Sequence, residues 1–247
     1  MLSLSSHELT KTSKRALIVI ELLTAGTPNG HKISIMLEEL AVDYRYRKID
    51  LSSNEQKQES FLRLNPNGKI PVIIDHNPSF REEPWVVFES GAILWYLAEK
   101  HNRFLPLDPS QKNLALQWLM FQVGGVGPMM GQSNVFRHYA PQKIEYAINR
   151  YAKETRRLLE VVNQGLVKSD FLAGDYSIAD IALFSWIRGY EWSGASIDGL
   201  DHLARWLDRI ESRQAVQRGV HIPSESLGGN LKDDKAMTIE IAKNLLI

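Results

Sequence analysis

Hydrophobic residues recur along this chain with two different periods, and the change falls near residue 103. The run Leu17-Ile18-Val19-Ile20 predicts a short buried strand. A turn-rich stretch follows, Thr24-Ala25-Gly26-Thr27-Pro28-Asn29-Gly30. After it Ile33, Met36, Leu37 and Leu40 keep the i, i+3, i+4, i+7 spacing of one helical face. Positions 44–51 alternate at period two, as a half-exposed strand does. A short helical piece at Phe61-Leu62-Arg63-Leu64 ends in the turn Asn65-Pro66-Asn67-Gly68. Residues 70–75 and 85–88 read as two more strands, and Glu89-Ser90-Gly91 opens a helix ending near His101. The order predicts a compact α/β unit with crossovers suited to parallel pairing and a final hairpin.

Beyond Arg103 the period is helical almost throughout. Residues 104–109 read as a linker, and the spacing predicts helices over 110–123, 141–165, 178–192 and 200–214. Ser177-Ile178-Ala179-Asp180 carries the pattern of a capping box. The Gly- and Met-rich piece 124–131 is expected to break or kink a long helix. The expected division is a tail over 1–15, an α/β domain over 16–102, an all-helical domain over 109–220 and an extension over 221–247.

Composition narrows the chemistry. The 247 residues carry 29 basic and 29 acidic side chains, which removes the electrostatic footprint of a nucleic-acid binder. No apolar run is long enough to span a membrane, and residues 1–15 have no apolar centre of a secretory signal. A cytoplasmic protein is the expectation. With no cysteine, the chain has no thiolate metal site and no cysteine nucleophile. The seven histidines form no His-x-x-x-His pair, so no metal is expected. Serine-hydrolase and phosphate-loop signatures are missing as well.

Three places remain where backbone geometry can make a site. Asn29, after Thr27-Pro28, stands where a helix N-cap belongs. It is either only a cap or, with Thr27, a donor to a bound thiol beside a positive helix end. Ile70-Pro71 either begins an edge strand or, if cis, turns the Ile70 backbone outward to pair with an extended peptide. Ser90 is an ordinary cap, or it joins Glu89 in holding an α-amino acid group by its carboxylate and ammonium.

Taken together, these three suit a γ-glutamyl-cysteinyl peptide. The segments TPNGHKISIMLEE, NPNGKIPVIID, FESGAILWYLAEK, QWLMFQVGGVGPMMGQ and YSIADIA, in that order, resemble the glutathione transferase family. Within it, the chain is similar to the class that holds the yeast nitrogen catabolite regulator and bacterial glutathione-dependent disulfide-bond reductases. The resemblance covers about residues 16–220 and implies a thioredoxin-like N-terminal domain, an all-α C-terminal domain and a homodimer. It implies glutathione, reduced or oxidised, as cosubstrate. Asn29 resembles the residue that hydrogen-bonds the glutathione sulfur, with Thr27 as its companion. Ile70 before a cis Pro71 resembles the residue whose backbone pairs with the cysteinyl unit, and Glu89 with Ser90 resembles the γ-glutamyl clamp. Gln56 and Lys69 fall near the glycyl end, while Arg137 and Arg150 resemble helical-domain arginines facing the pocket. The implied activity is glutathione-dependent disulfide reduction. The alternatives are a glutathione-binding regulatory module and a ligand carrier with a cleft at Trp118, Phe121, Met129 and Met130.

Overall fold

The computed structural model describes residues 19–224, so Leu17, Ile18, the expected tail over 1–15 and most of the 221–247 extension lie outside the described residues. A four-stranded sheet is built from β1 (Ile20–Thr24), β2 (Tyr44–Lys48), β3 (Val72–Asp75) and β4 (Trp85–Phe88) in the order β2-β1-β3-β4. The first strand therefore extends through Glu21, beyond the apolar run 17–20. Leu22 and Leu23 are buried at the sheet centre, while the Glu21 carboxylate reaches Arg45 at 2.8 Å on the neighbouring edge strand. β1 and β2 are parallel, joined by the crossover helix α1 (Pro28–Leu40). β3 returns antiparallel to β1, because the single-turn helix α2 (Glu59–Leu62) and the Asn65–Gly68 turn reverse the chain. The expected parallel second crossover is thus corrected, whereas the β3–β4 hairpin is as expected.

Helix α1 is buried from Gly30 to Leu37, between the sheet and the helices that follow. Gly30 is required there: a Cβ would meet the Ala25 carbonyl oxygen at 2.2 Å and Thr24 Oγ1 at 2.5 Å. The close approach of helix start and strand end is possible only without a side chain. Helix α3 (Ser90–His101) packs beside α1, and Ile93, Leu94 and Leu97 are buried.

The helical part comprises α4 (Pro109–Phe121), α5 (Gly127–Asn134), α6 (Glu145–Gly165), α7 (Ile178–Ile187), α8 (Asp201–Glu211) and α9 (Gln214–Gly219). The glycine-rich piece 124–131 does not break the helix. A π-helical turn over Gln122–Val126 joins α4 to α5 without interruption, and a second follows α5 over Val135–Tyr139. Ile144 is extended and stands at the N-cap, so α6 starts at Glu145 and not at 141. α7 stops at Ile187, short of 192, and the chain then turns through Gly194, where φ is 71°. The expected 200–214 helix ends at Glu211, and Arg213, in extended conformation, starts α9.

α7 is apolar on all sides and almost wholly buried, which makes it the axis of this part. Its capping box is present: Ser177 Oγ accepts from the Ala179 amide at 3.3 Å, and Asp180 accepts from the Ser177 amide at 3.0 Å. Asp180 also accepts from the Leu172 amide at 3.1 Å and from Trp206 Nε1 at 2.9 Å. Burial outweighs these donors and lifts its acid to about 6. Asp180→Ala leaves three buried N–H donors without this acceptor and is expected to lower unfolding free energy by about 3 kcal/mol in urea titration. Ser177→Ala, which removes the cap and one hydrogen bond to Asp180, should cost about 1 kcal/mol in the same measurement.

Candidate functional site

A cavity of about 610 Å³ opens where the N-termini of α1 and α3 face the helical part. Thr27, Asn29, Lys32, Lys69, Glu89 and Ser90 line one side, with Gln122, Met130, Tyr139, Trp186, Arg188 and Trp192 on the other. Two helix N-termini at one cavity present unpaired amides and positive dipole ends to the same volume.

Thr27, and not Asn29, caps α1. Thr27 Oγ1 accepts from the Gly30 amide at 3.2 Å, Pro28 occupies the first helical position, and Asn29 falls one residue inside. The correction matters for the chemistry, because it frees the Asn29 side chain. Trp186 Nε1, from α7, donates to Asn29 Oδ1 at 2.9 Å. An indole N–H only donates, so the amide oxygen is committed to it and the Nδ2 protons are left to the cavity.

Glu89 precedes α3 with φ 66° and ψ 116°, a backbone conformation costly for a side chain with a Cβ. Asn67 Nδ2 donates to its carboxylate at 3.2 Å. The Ile70–Pro71 bond is cis. Neither the Ile70 amide nor its carbonyl takes part in the backbone pairings around it among the described residues.

Two buried bases lie behind this rim. Lys32 is 2% exposed, and its Nζ donates to Ser90 Oγ at 3.1 Å and to Gln122 Oε1 at 2.5 Å. Burial pulls its ammonium down to about 7, against the field of Glu89, which favours the charged form. His31 is 5% exposed, with Nε2 unpaired. Burial and the nearby Arg188 and His221 hold its acid at about 3, so the ring is neutral.

Residues 19–99 match the family model "Glutathione S-transferase, N-terminal domain" and residues 124–214 match "Glutathione S-transferase, C-terminal domain". The disulfide-bond oxidoreductase YfcG of Escherichia coli is 48% identical over 199 residues, spanning 80% of this chain and 93% of its own length. A glutathione transferase from Pseudomonas putida, solved with one glutathione disulfide bound per subunit, is 40% identical with a TM-score of 0.79. That likeness covers 86% of this chain and 94% of the other. One from Burkholderia graminis, with two glutathione molecules bound per subunit, is 40% identical with a TM-score of 0.80, over 84% and 90%.

This chain belongs to the glutathione transferase family of enzymes.

Of the residues singled out in this transferase's sequence, Thr27, Asn29, Lys69, Glu89 and Ser90 line the cavity. Gln56 does not: it is buried behind Gly68, with Nε2 turned to Asn54 Oδ1 at 3.4 Å. Ile70 and Pro71 lie beside the cavity without lining it. Arg137 and Arg150, expected to face the pocket, do not line this cavity within the single chain. Arg150 lies in a separate groove with Tyr146 and Arg157. Arg137 packs its guanidinium over Gly194, where a Cβ would stand 2.0 Å from Nη2. The arginine that lines the cavity is Arg188, just past the end of α7. Of the expected apolar cleft only Met130 lines the cavity, while Trp118, Phe121 and Met129 pack against the core.

Lys32, Gln122, Trp186 and Arg188 were not legible as site residues. The one sequence signal was a lysine inside an apolar helix, three positions after Asn29.

Lys32 carries a pH signature of its own. Its ordinary value of 10.5 applies to the unfolded chain, so between about 7 and 10.5 the unfolded state holds a proton that the folded state has released. Unfolding free energy of the unliganded protein is therefore expected to rise with pH across this window. Lys32→Met should remove that part of the slope, as read from urea unfolding at pH 7, 8 and 9.

Proposed function

We propose that this transferase is a glutathione-dependent disulfide reductase that works through the thiolate of glutathione. Support comes foremost from the Asn29 amide, which Trp186 holds with its donors toward the cavity at the N-terminus of α1. A thiol placed there meets amide donors and a positive dipole end, and both favour its ionised form. Thr27, whose oxygen is occupied by the Gly30 amide, keeps its hydroxyl proton to donate to the same sulfur.

The rest of the tripeptide follows in register. Ile70, ahead of cis Pro71, offers its amide and carbonyl to the cysteinyl backbone. Ser90 and the first amides of α3 receive the γ-glutamyl carboxylate, and Glu89 pairs with the ammonium. Lys69 meets the glycyl carboxylate from the cavity rim, with Gln56 buried behind it. Residues 16–102 thus supply the glutathione site, and residues 109–220 the wall facing it. A second glutathione would lie toward the helical wall of the cavity, where Arg188 can offer a bidentate contact to a carboxylate.

The chain has no cysteine, so no mixed disulfide with the enzyme forms. The first glutathione thiolate attacks one sulfur of the substrate disulfide. The S–S bond breaks, a mixed disulfide with glutathione forms, and the other half leaves as a thiolate that takes up a proton. A second glutathione thiolate then attacks the glutathione sulfur of that mixed disulfide. Glutathione disulfide forms and the remaining half leaves as a thiol, so two glutathione molecules are oxidised for each disulfide reduced. We further assign a cytoplasmic homodimer. The edge strand β4 exposes Trp85 and Phe88, and the end of α4 exposes Met120, side chains suited to cover by a second copy.

Asn29→Ala is expected to lower kcat/KM for glutathione-dependent hydroxyethyl disulfide reduction about 10- to 100-fold. The limb of the pH–rate profile set by the thiol should move up toward about 8.5, the value of a free thiol. Unchanged rate and profile would rule out Asn29 as the sulfur's partner. Tight glutathione binding without turnover in the unmodified protein would favour a binding module over an enzyme of this type.

A further inference from the structure

Lys32 is a buried cation at the cavity. It sits one turn inside α1, and its Nζ reaches Ser90 Oγ on α3 at 3.1 Å and Gln122 Oε1 on the π-helical turn at 2.5 Å. Because Ser90 Oγ accepts from this ammonium, the serine's own proton is the one free to point away from Lys32. Ser90 and Lys32 both line the cavity, and Ser90 begins the helix whose first amides are unpaired.

We propose that Lys32 is a positioning residue for the γ-glutamyl end of glutathione: it turns the Ser90 hydroxyl proton toward the α-carboxylate and supplies the cation that this carboxylate neutralises. The role rests on the glutathione reading of the cavity. It also ties ligand binding to the contact between the two halves of the chain, since Gln122 belongs to the helical part.

The charges around Lys32 make the role measurable. Glu89, at the start of α3, is the charged group that acts on it. The π-helical turn contributes the neutral Gln122, and the neighbouring His31 is uncharged. Arg188 and His221 act on His31, and neither they nor any group of α7 or α9 sets the charge of Lys32. With the cavity empty, burial leaves this ammonium only partly charged near neutral pH. A carboxylate arriving beside Ser90 restores the full charge, so binding draws a proton from solution.

The experiment is calorimetry of S-methylglutathione, which has no thiol to titrate, binding at pH 7.5 in two buffers of different ionisation enthalpy. The full-length protein is expected to take up about three-quarters of a proton per ligand, given an empty-site value of about 7. Lys32→Met should abolish the uptake and weaken binding about 10-fold or more. An S-methyl analogue lacking the α-carboxylate should bind the unaltered protein without uptake. Binding of S-methylglutathione by the unaltered protein with no proton uptake would overturn the role of Lys32 and leave the glutathione site standing. Failure of S-methylglutathione to bind at all would overturn both. The first measurement needs no variant, so it decides even if Lys32→Met does not fold.

Discussion

The burial of helix α1 on every side is the constraint from which the site follows. A helix sandwiched between a sheet and a helical layer cannot turn its polar side chains to water, so apart from His31, whose Nε2 stays unpaired, its buried polar side chains are met by partners across the packing surface. Asn29 accepts from Trp186, Lys32 donates to Gln122, and Ser34 donates to the Gly219 carbonyl at 2.6 Å. Glu39, 8% exposed, receives the Arg213 guanidinium in a bidentate pair at 2.6 and 2.9 Å. Four polar residues spaced along one helix therefore dock the helical part in one orientation, and the cavity is the space left at the N-terminal end.

The same packing explains the electrostatic character of the cavity. Two helix N-termini, Lys32, Lys69 and Arg188 face it, against the single carboxylate of Glu89 among the described residues. Such a surplus of positive character is unfavourable in an empty site and is relieved by an anionic ligand. Burial lowers the pKa of both Lys32 and His31, and for His31 the neighbouring Arg188 and His221 lower it further. A tripeptide with two carboxylates and one ammonium has the complementary charge pattern.

The π-helical turns serve the same end. Over Gln122–Val126 the wider turn keeps the α4–α5 helix continuous while setting Gln122 inward, buried to 1%, where it meets Lys32. Over Val135–Tyr139 the second one sends Tyr139 into the cavity and leaves Arg137 packed against Gly194. A one-residue register change in a helix moves a side chain by about 100° around the axis.

Local periodicity was enough to reveal most elements of the fold. The apolar face of α1, the β3–β4 hairpin, the α3 start at Ser90 and the Ser177–Asp180 cap all follow from short-range spacing and turn chemistry. So did the turn-and-cap motifs carrying Thr27, Asn29, Glu89 and Ser90, because a helix N-terminus is specified by a few neighbouring residues. Tertiary packing alone decided that the Asn29 amide pairs with Trp186. It also put a lysine, a serine and a glutamine from three distant stretches within hydrogen-bonding distance. Those outcomes depend on contacts between residues 58 to 157 positions apart, and no local pattern encodes the desolvation that sets the charge of Lys32.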